Sequence, residues 1–399
     1  LGKSGRSKED YFLSPEKKKI LIIAGEASGD LHGSGVVRAL LRLSSDVQVY
    51  GVGSGNMRQA GAELIIDSSQ LAVVGITEVF GQIGNLLKGY WQLKQFIKTT
   101  PLSLLILIDF PDFNLMLARV ARGVGVPVLY YISPQVWAWR SGRVQKIAKR
   151  VDKMAVILPF EVAIFRQAGL EVEFVGHPLL DVLNVNQPEI APPHTEEWRG
   201  DPLIALLPGS RVKEVNSLLP SLIRAAEIIR ENKAGARFIL AVAPSLNVQE
   251  VKEFLKSADL SVTIVQGQTY QAIKAADLVI VASGTATLET AILGKPMVIL
   301  YRVSSLSYWI GKILVKTNWI GLVNIVAGRR VVPELLQHEA KGERIAAEVL
   351  KILEDESARQ EVLQGLAEVR DKLGTPGAAE RVAQIALEMI GAVRRGVES

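Results

Sequence analysis

Four short segments of this 399-residue chain place acids, an arginine or small residues where chemistry on a phosphate or a hydroxyl could occur. Residues 109–114 (DFPDFN) end a very apolar run, LLILI. A carboxylate at the rim of a buried strand is partly desolvated, which raises its proton affinity toward the range of a general base. Asp109, nearest the run, is the candidate base; Asp112 and Asn114 read more plainly as caps of a following helix.

Residues 207–211 (LPGSR) follow a second apolar run. Gly209 permits close backbone approach, and Ser210 and Arg211 offer donors to a phosphate. In residues 282–289 (ASGTATLE) a buried run passes through a small-residue turn into a helix. The free N–H groups and dipole at that helix start favour a diphosphate around Ser283, Gly284, Thr285, Ala286 and Thr287. Glu289, about two turns on, could accept hydrogen bonds from ribose hydroxyls or be a solvated helix-face charge.

Residues 25–30 (GEASGD) occupy the place where a dinucleotide-binding fold would hold a pyrophosphate, yet Glu26 and Asp30 would repel one. Neither the dinucleotide glycine fingerprint nor a Walker lysine is present, and a tight glycine turn with helix-capping acids is the plainer reading. The first half of the chain thus repels phosphate where the second half invites it. There is no Asp-x-Asp pair, and the four histidines lack zinc-ligand spacing, so no metal or other cofactor is expected. Departure of a nucleotide diphosphate would then fall to Arg211 and a helix N-terminus.

The elements that must carry these loops alternate between short Ile/Val/Leu runs and helix-length amphipathic segments, the pattern of parallel sheets covered on both faces. Runs at 20–24, 47–52, 102–108, 126–132, 154–158 and 172–175 form one series. Runs at 203–207, 237–242, 262–265, 278–282 and 297–300 form another. Between them lies NVNQPEIAPPHTEEWRGD, proline-rich and aperiodic. The expectation is an α/β protein of two doubly wound, Rossmann-like domains facing across a cleft, at 20–183 and 202–399. Residues 184–201 link them, and the last helices are left able to pack back on the first domain. In such sheets ligands bind beyond the carboxyl ends of the strands, where the four loops lie.

Composition narrows the classes further. A chain that is 48% hydrophobic can fill two cores. Zero cysteines exclude disulfides, thiolate metal sites and thiol nucleophiles, and fit a reducing compartment. A net charge of +5 suits phosphates, nucleotides or an acidic lipid surface but is too small to argue for nucleic acid. No apolar run approaches the ~20 residues of a membrane span. Residues 1–19, polar and beginning without Met, read as a disordered or added tail.

At these loops the chain closely resembles the lipid-A-disaccharide synthases, a family of glycosyltransferase family 19 in the GT-B superfamily. The matches are residues 25–30, 109–114, 133–140 (SPQVWAWR), 176–178 (GHP), 206–211 (LLPGSR), 283–289 (SGTATLE) and 324–329 (NIVAGR), in the family's order. The resemblance implies a GT-B fold and an inverting transfer. UDP-2,3-diacylglucosamine would be joined to 2,3-diacylglucosamine 1-phosphate (lipid X), giving lipid A disaccharide 1-phosphate and UDP.

By motif matching, Asp109 corresponds to the base on the acceptor 6-hydroxyl, and Arg211 and Asn324 to positions needed for activity. Gly209, Ser210, residues 283–287, Glu289 and Arg329 fall on the nucleotide-sugar side; Glu26, Ser28, Asp30, Trp137 and Arg140 fall on the acceptor side. The family works at the cytoplasmic face of the inner membrane, so peripheral contact with anionic lipid is expected, and a homodimer is left open. Val79, Phe80, Ile83, Leu86 and Leu87 belong to an apolar stretch that would meet acyl chains or lipid, or else form a buried helix face. Trp137, Trp139, Arg140, Arg143, Lys146 and Lys149 gather aromatics and cations suited to a phosphate-bearing amphiphile or anionic headgroups, and Arg143, Lys146 and Lys149 read equally as a solvated basic helix face. Two kinds of rival remain. One is another UDP-GlcNAc-using GT-B enzyme, of the peptidoglycan transferase or 2-epimerase type; the other is a non-catalytic nucleotide-sugar or lipid-binding module.

Overall fold

A computed structural model describes residues 17–68, 79–135, 142–183, 192–193, 196–255, 260–303 and 319–397. Two all-parallel sheets dominate it. The first has seven strands: β1 (Lys18–Ala24), β2 (Val47–Gly53), β3 (Glu63–Asp67), β4 (Leu102–Ile108), β5 (Val128–Tyr131), β6 (Lys153–Val156) and β7 (Glu171–Phe174), in the order 3-2-1-4-5-6-7. The second has six: β8 (Leu203–Leu207), β9 (Arg237–Val242), β10 (Val262–Gln266), β11 (Leu278–Ala282), β12 (Met297–Tyr301) and β13 (Glu334–Leu336), in the order 10-9-8-11-12-13. The central strands are buried on both faces, which is why ILIIA, LLILI, LIALL and LVIVA read as unbroken apolar runs.

Helices cover both faces of each sheet. The helix Val212–Asn232 shows how: Val215, Leu218, Leu219, Leu222, Ala225, Ala226 and Ile229 recur every three or four residues and are buried against β8, β9 and β11. The alternation therefore produces the two doubly wound sheets expected of it. Two short edge strands, β3 and β13, lie outside the expected runs. β1 also begins at Lys18, so Lys18 and Lys19 are strand residues and not part of a tail; Lys18 N–H bonds Asp46 O at 2.7 Å.

The chain passes twice between the sheets, at residues 175–183 and 373–381. Leu179, Leu180 and Leu183 sink into the core under the second sheet, beside Leu366 and Leu373. In return the helix Ala378–Val397 lays Val382, Ala383, Ala386 and Ile390 against Val36, Val37 and Leu40 of the helix Ala27–Leu43. The passages are tied side by side: His177 N–H to Leu373 O at 2.9 Å, Arg381 Nε to Val175 O at 2.8 Å, and Gly377 N–H to the Asp181 carboxylate. Gly176, at φ +80°, leaves no room for a β-carbon, which would lie 2.9 Å from Arg381 Nη2. The 176–178 motif is thus a structural crossing.

Candidate active site

In each sheet the strand order reverses at one place, between β1 and β4 and between β8 and β11. At such a switch point the two adjoining loops diverge to opposite faces and leave a crevice. The four loops singled out by residue type are the loops that follow these four strands.

At the first switch point Asp109 and Phe110 both take left-handed backbone, at φ 47°, which is unfavourable for residues other than glycine. The conformation is held by three hydrogen bonds: Asp109 N–H donates to Tyr131 O at 3.3 Å, and Asp109 O accepts from Tyr130 Oη at 2.6 Å and Asn114 Nδ2 at 2.7 Å. The Phe110 ring turns back over Gly25, where a β-carbon would meet Phe110 Cδ1 at 2.4 Å. Glycine at position 25 thus lets one loop pack on the other. Burial raises the proton affinity of Asp109, and the nearby Glu26 charge raises it further, against one hydrogen bond from the Phe110 N–H. Glu26 and Ser28 are exposed beside it.

At the second switch point a cleft of about 370 Å³ is lined by Gly209, Ser210, Arg211 and Glu214 on one side and Ser283, Gly284, Thr285 and Ala286 on the other, with Thr269 and Glu289 also on its wall. Thr285 and Ala286 at the start of the helix Thr285–Ile292 lie on the cleft wall, where the first N–H groups of a helix have no partner one turn back, while Thr287 N–H is taken by Gly284 O at 3.1 Å. Glu289 accepts from Tyr270 Oη at 3.2 Å; burial holds its proton affinity above the ordinary value. Arg211 is 80% exposed and pairs with Glu214 at 2.7 Å.

Residues 20–389 match the family model described as lipid-A-disaccharide synthetase. A lipid-A-disaccharide synthase from Geobacter metallireducens is 48% identical over 94% of this chain and 98% of its own length; one from Geobacter sulfurreducens is 49% identical over 94% and 97%. The chain belongs to the lipid-A-disaccharide synthetase family. Among solved structures, a UDP-GlcNAc 2-epimerase from Neisseria meningitidis bound to UDP-GlcNAc aligns with TM-score 0.64 at 11% identity, covering 93% of this chain and all of that one. A calicheamicin glycosyltransferase aligns at 0.60 and 15%, covering 94% and 98%. These likenesses show the shared GT-B architecture alone.

In this member of the lipid-A-disaccharide synthetase family, several residues expected at the site are committed elsewhere. Asn324 is fully buried with every bond its amide can make already made: Nδ2 donates to Val332 O and Glu334 Oε1, and Oδ1 accepts from the N–H groups of Val331 and Val332. In this structure the amide braces the helix Leu322–Ala327 against the segment that leads into β13. Glu334 also accepts from the N–H groups of Ile320 and Gly321, and Ser283 Oγ donates to Ile320 O at 3.3 Å, so the brace reaches the small-residue turn. Thr287 is buried and donates to Gly284 O at 2.8 Å, bracing the turn from within. Arg329 pairs with Glu368 at 2.7 Å and does not line the cleft.

Asp30 is likewise withdrawn from any acceptor. Its buried carboxylate takes four donors: Ser54 N–H and Oγ, Asn56 N–H and Met57 N–H. Burial alone would raise its proton affinity, but those bonds hold it below the usual carboxylate value. Asp112 does not cap the helix Pro111–Gly123, whose N-cap position is held by Phe110 with no side-chain hydrogen bond; it pairs with Arg143 at 2.7 Å. Asn114 reaches back to the carbonyls of Ile108 and Asp109.

Trp137, Trp139 and Arg140 lie outside the described residues, as does most of 184–195. Val79, Phe80 and Ile83 fall in the helix Val79–Thr99, but their side chains also lie outside the described set. Farther along that helix Leu86 is half-buried, whereas Leu87 is 54% exposed and Trp91, one turn on, 59% exposed; Lys94 Nζ sits 4.2 Å from the Trp91 ring. Among the described residues no helix is long and apolar enough to cross a membrane, and no three His, Cys, Asp or Glu side chains are grouped to hold a metal ion. Tyr130, Glu214, Tyr270, Glu334 and Trp91 are the contributors that residue-type reasoning missed. The i,i+4 spacing of Trp91 from Leu87 and the i,i+3 spacing of Glu214 from Arg211 at a helix start were the usable signals.

Proposed function

We propose that the protein transfers a 2,3-diacylglucosaminyl group from its UDP derivative to the 6-hydroxyl of 2,3-diacylglucosamine 1-phosphate, releasing UDP. As a member of the lipid-A-disaccharide synthetase family it is a glycosyltransferase of lipid A biosynthesis. The named substrates and the residue roles below are our reading. The observation that carries it is Asp109: a carboxylate kept basic by burial and by Glu26, in a backbone conformation fixed at a switch point.

In the proposed reaction Asp109 takes the proton of the acceptor 6-hydroxyl as that oxygen attacks the anomeric carbon from the face opposite the nucleotide. The anomeric carbon–phosphate oxygen bond breaks, the bonding pair leaves with UDP, and the configuration inverts. Arg211, the Ser210 N–H and the N–H groups that open the helix Thr285–Ile292 stabilise the departing charge. Glu289, anchored by Tyr270, accepts the ribose hydroxyls. Leu87 and Trp91, with Lys88 and Lys94 beside them, favour seating at an anionic bilayer surface, where both acylated substrates reside.

The test is incubation with both substrates, with and without EDTA, read by mass spectrometry, for the unmodified chain and for Asp109→Asn. Disaccharide formation that survives EDTA is expected. Loss of a general base lowers kcat by about 10²- to 10⁴-fold, while the dissociation constant for UDP stays unchanged because the base acts in the transition state. A variant that loses UDP binding in step with activity overturns the assignment of Asp109.

A further inference from the structure

The cleft at the second switch point contains its own anion. Glu214 Oε1 accepts from Arg211 Nη1 at 2.7 Å, and Oε2 lies 3.3 Å from the Ser210 N–H. The same oxygen would stand 2.7 Å from a β-carbon at Gly209, so only glycine leaves it room to fold back over the turn. The carboxylate thereby engages the two donors, one guanidinium and one backbone N–H, that a phosphate would need on this side of the cleft. Glu214 lies in the first turn of the helix Val212–Asn232, with its side chain 30% exposed.

We propose that Glu214 is an internal competitor of the nucleotide diphosphate, a positioning residue that sets nucleotide affinity and hastens UDP release. This rests on the reading of the cleft as the UDP site. As the diphosphate enters, Arg211 and Ser210 exchange one anion for another, and Glu214 swings toward solvent, which it already borders. After transfer the carboxylate recaptures Arg211, so the UDP that remains loses its partner by displacement and not by unassisted dissociation. No covalent bond changes; the exchange is of hydrogen bonds only. A purely structural role, in which Glu214 caps its helix by reaching back to the residues before it, makes the opposite prediction.

The experiment measures UDP and uridine binding by calorimetry, and UDP release by stopped flow, for the unmodified chain, Glu214→Gln and Glu214→Asp. Gln removes the charge at constant size; Asp keeps the charge at the helix start but withdraws it from Arg211. The expected result is about a fivefold lower Kd for UDP in Glu214→Gln, equivalent to ~1 kcal/mol at about 1.4 kcal/mol per tenfold. That is the upper end for an exposed arginine–carboxylate pair. UDP release slows in proportion, uridine affinity stays the same, and Asp gives a smaller shift in the same direction. Equal or weaker UDP binding by both variants overturns the proposal while leaving the UDP site intact. Should Glu214→Gln lower the melting temperature, the Asp variant decides alone. Failure of the unmodified chain to bind UDP at all overturns the reading of the cleft and this inference with it.

Discussion

A carboxylate serves as a base only when its proton affinity is held up and its direction fixed. Asp109 meets the first condition through burial and the Glu26 charge, and the second through the bonds that pin its peptide groups to Tyr130, Tyr131 and Asn114. Because its proton affinity is raised, the active, deprotonated form appears only above the ordinary carboxylate range, and the acid limb of kcat/KM should lie there. Glu26→Gln removes one of the two raising influences, so the limb should move to lower pH, measured as a pH profile of disaccharide formation. A limb that stays or moves upward would show that Glu26 exerts no field on the base. Position was legible at this scale and orientation was not. Asp109 could be placed at a strand end from LLILID alone. Asn324 and Asp30 could not be recognised as saturated, because their partners lie 7 to 10 and 24 to 27 residues away in sequence.

Between elements, the contact that matters most is the Phe110 ring over Gly25. It couples the loop after β1 to the loop after β4 and explains a glycine that sequence reasoning assigned only to a tight turn. Gly25→Ala should force the ring aside, with an overpacking cost of about 1–3 kcal/mol, and misdirect Asp109. A fall in both melting temperature and kcat is expected. Combining it with Phe110→Ala should recover part of the lost stability, since the two residues share one contact. Additive losses in the double variant would show that the ring is not what the added methyl meets. The central strands were legible because burial on both faces writes a continuous apolar run. Two of the four edge strands were not: β13 has three residues and β3 starts and ends on acids, so neither resembles a buried strand.

For the whole molecule, the helix Val79–Thr99 carries an exposed leucine and tryptophan on adjacent turns, flanked by lysines, on a body whose formal net charge is +5. An apolar pair ringed by cations is the composition that seats a helix at an anionic interface. Leu87→Ser combined with Trp91→Ser should weaken flotation with anionic liposomes without lowering the melting temperature, since both side chains are largely exposed. Unchanged flotation would remove this helix from the proposed contact.

The central parallel strands, the loops at both switch points and the family could be read from the residues in order, because all three are written in short contiguous stretches: apolar runs, turn residues and motifs. Tertiary structure alone decided which polar residues of those loops remain available to a ligand. Hydrogen-bond saturation and burial depend on how the chain closes on itself: the Asn324 amide is spent on Val331 and Val332 and on Glu334 of β13, and the Asp30 carboxylate on the turn after β2. Glu214 stands only three residues from Arg211, yet its rotamer over the Gly209 turn is set by the folded backbone there.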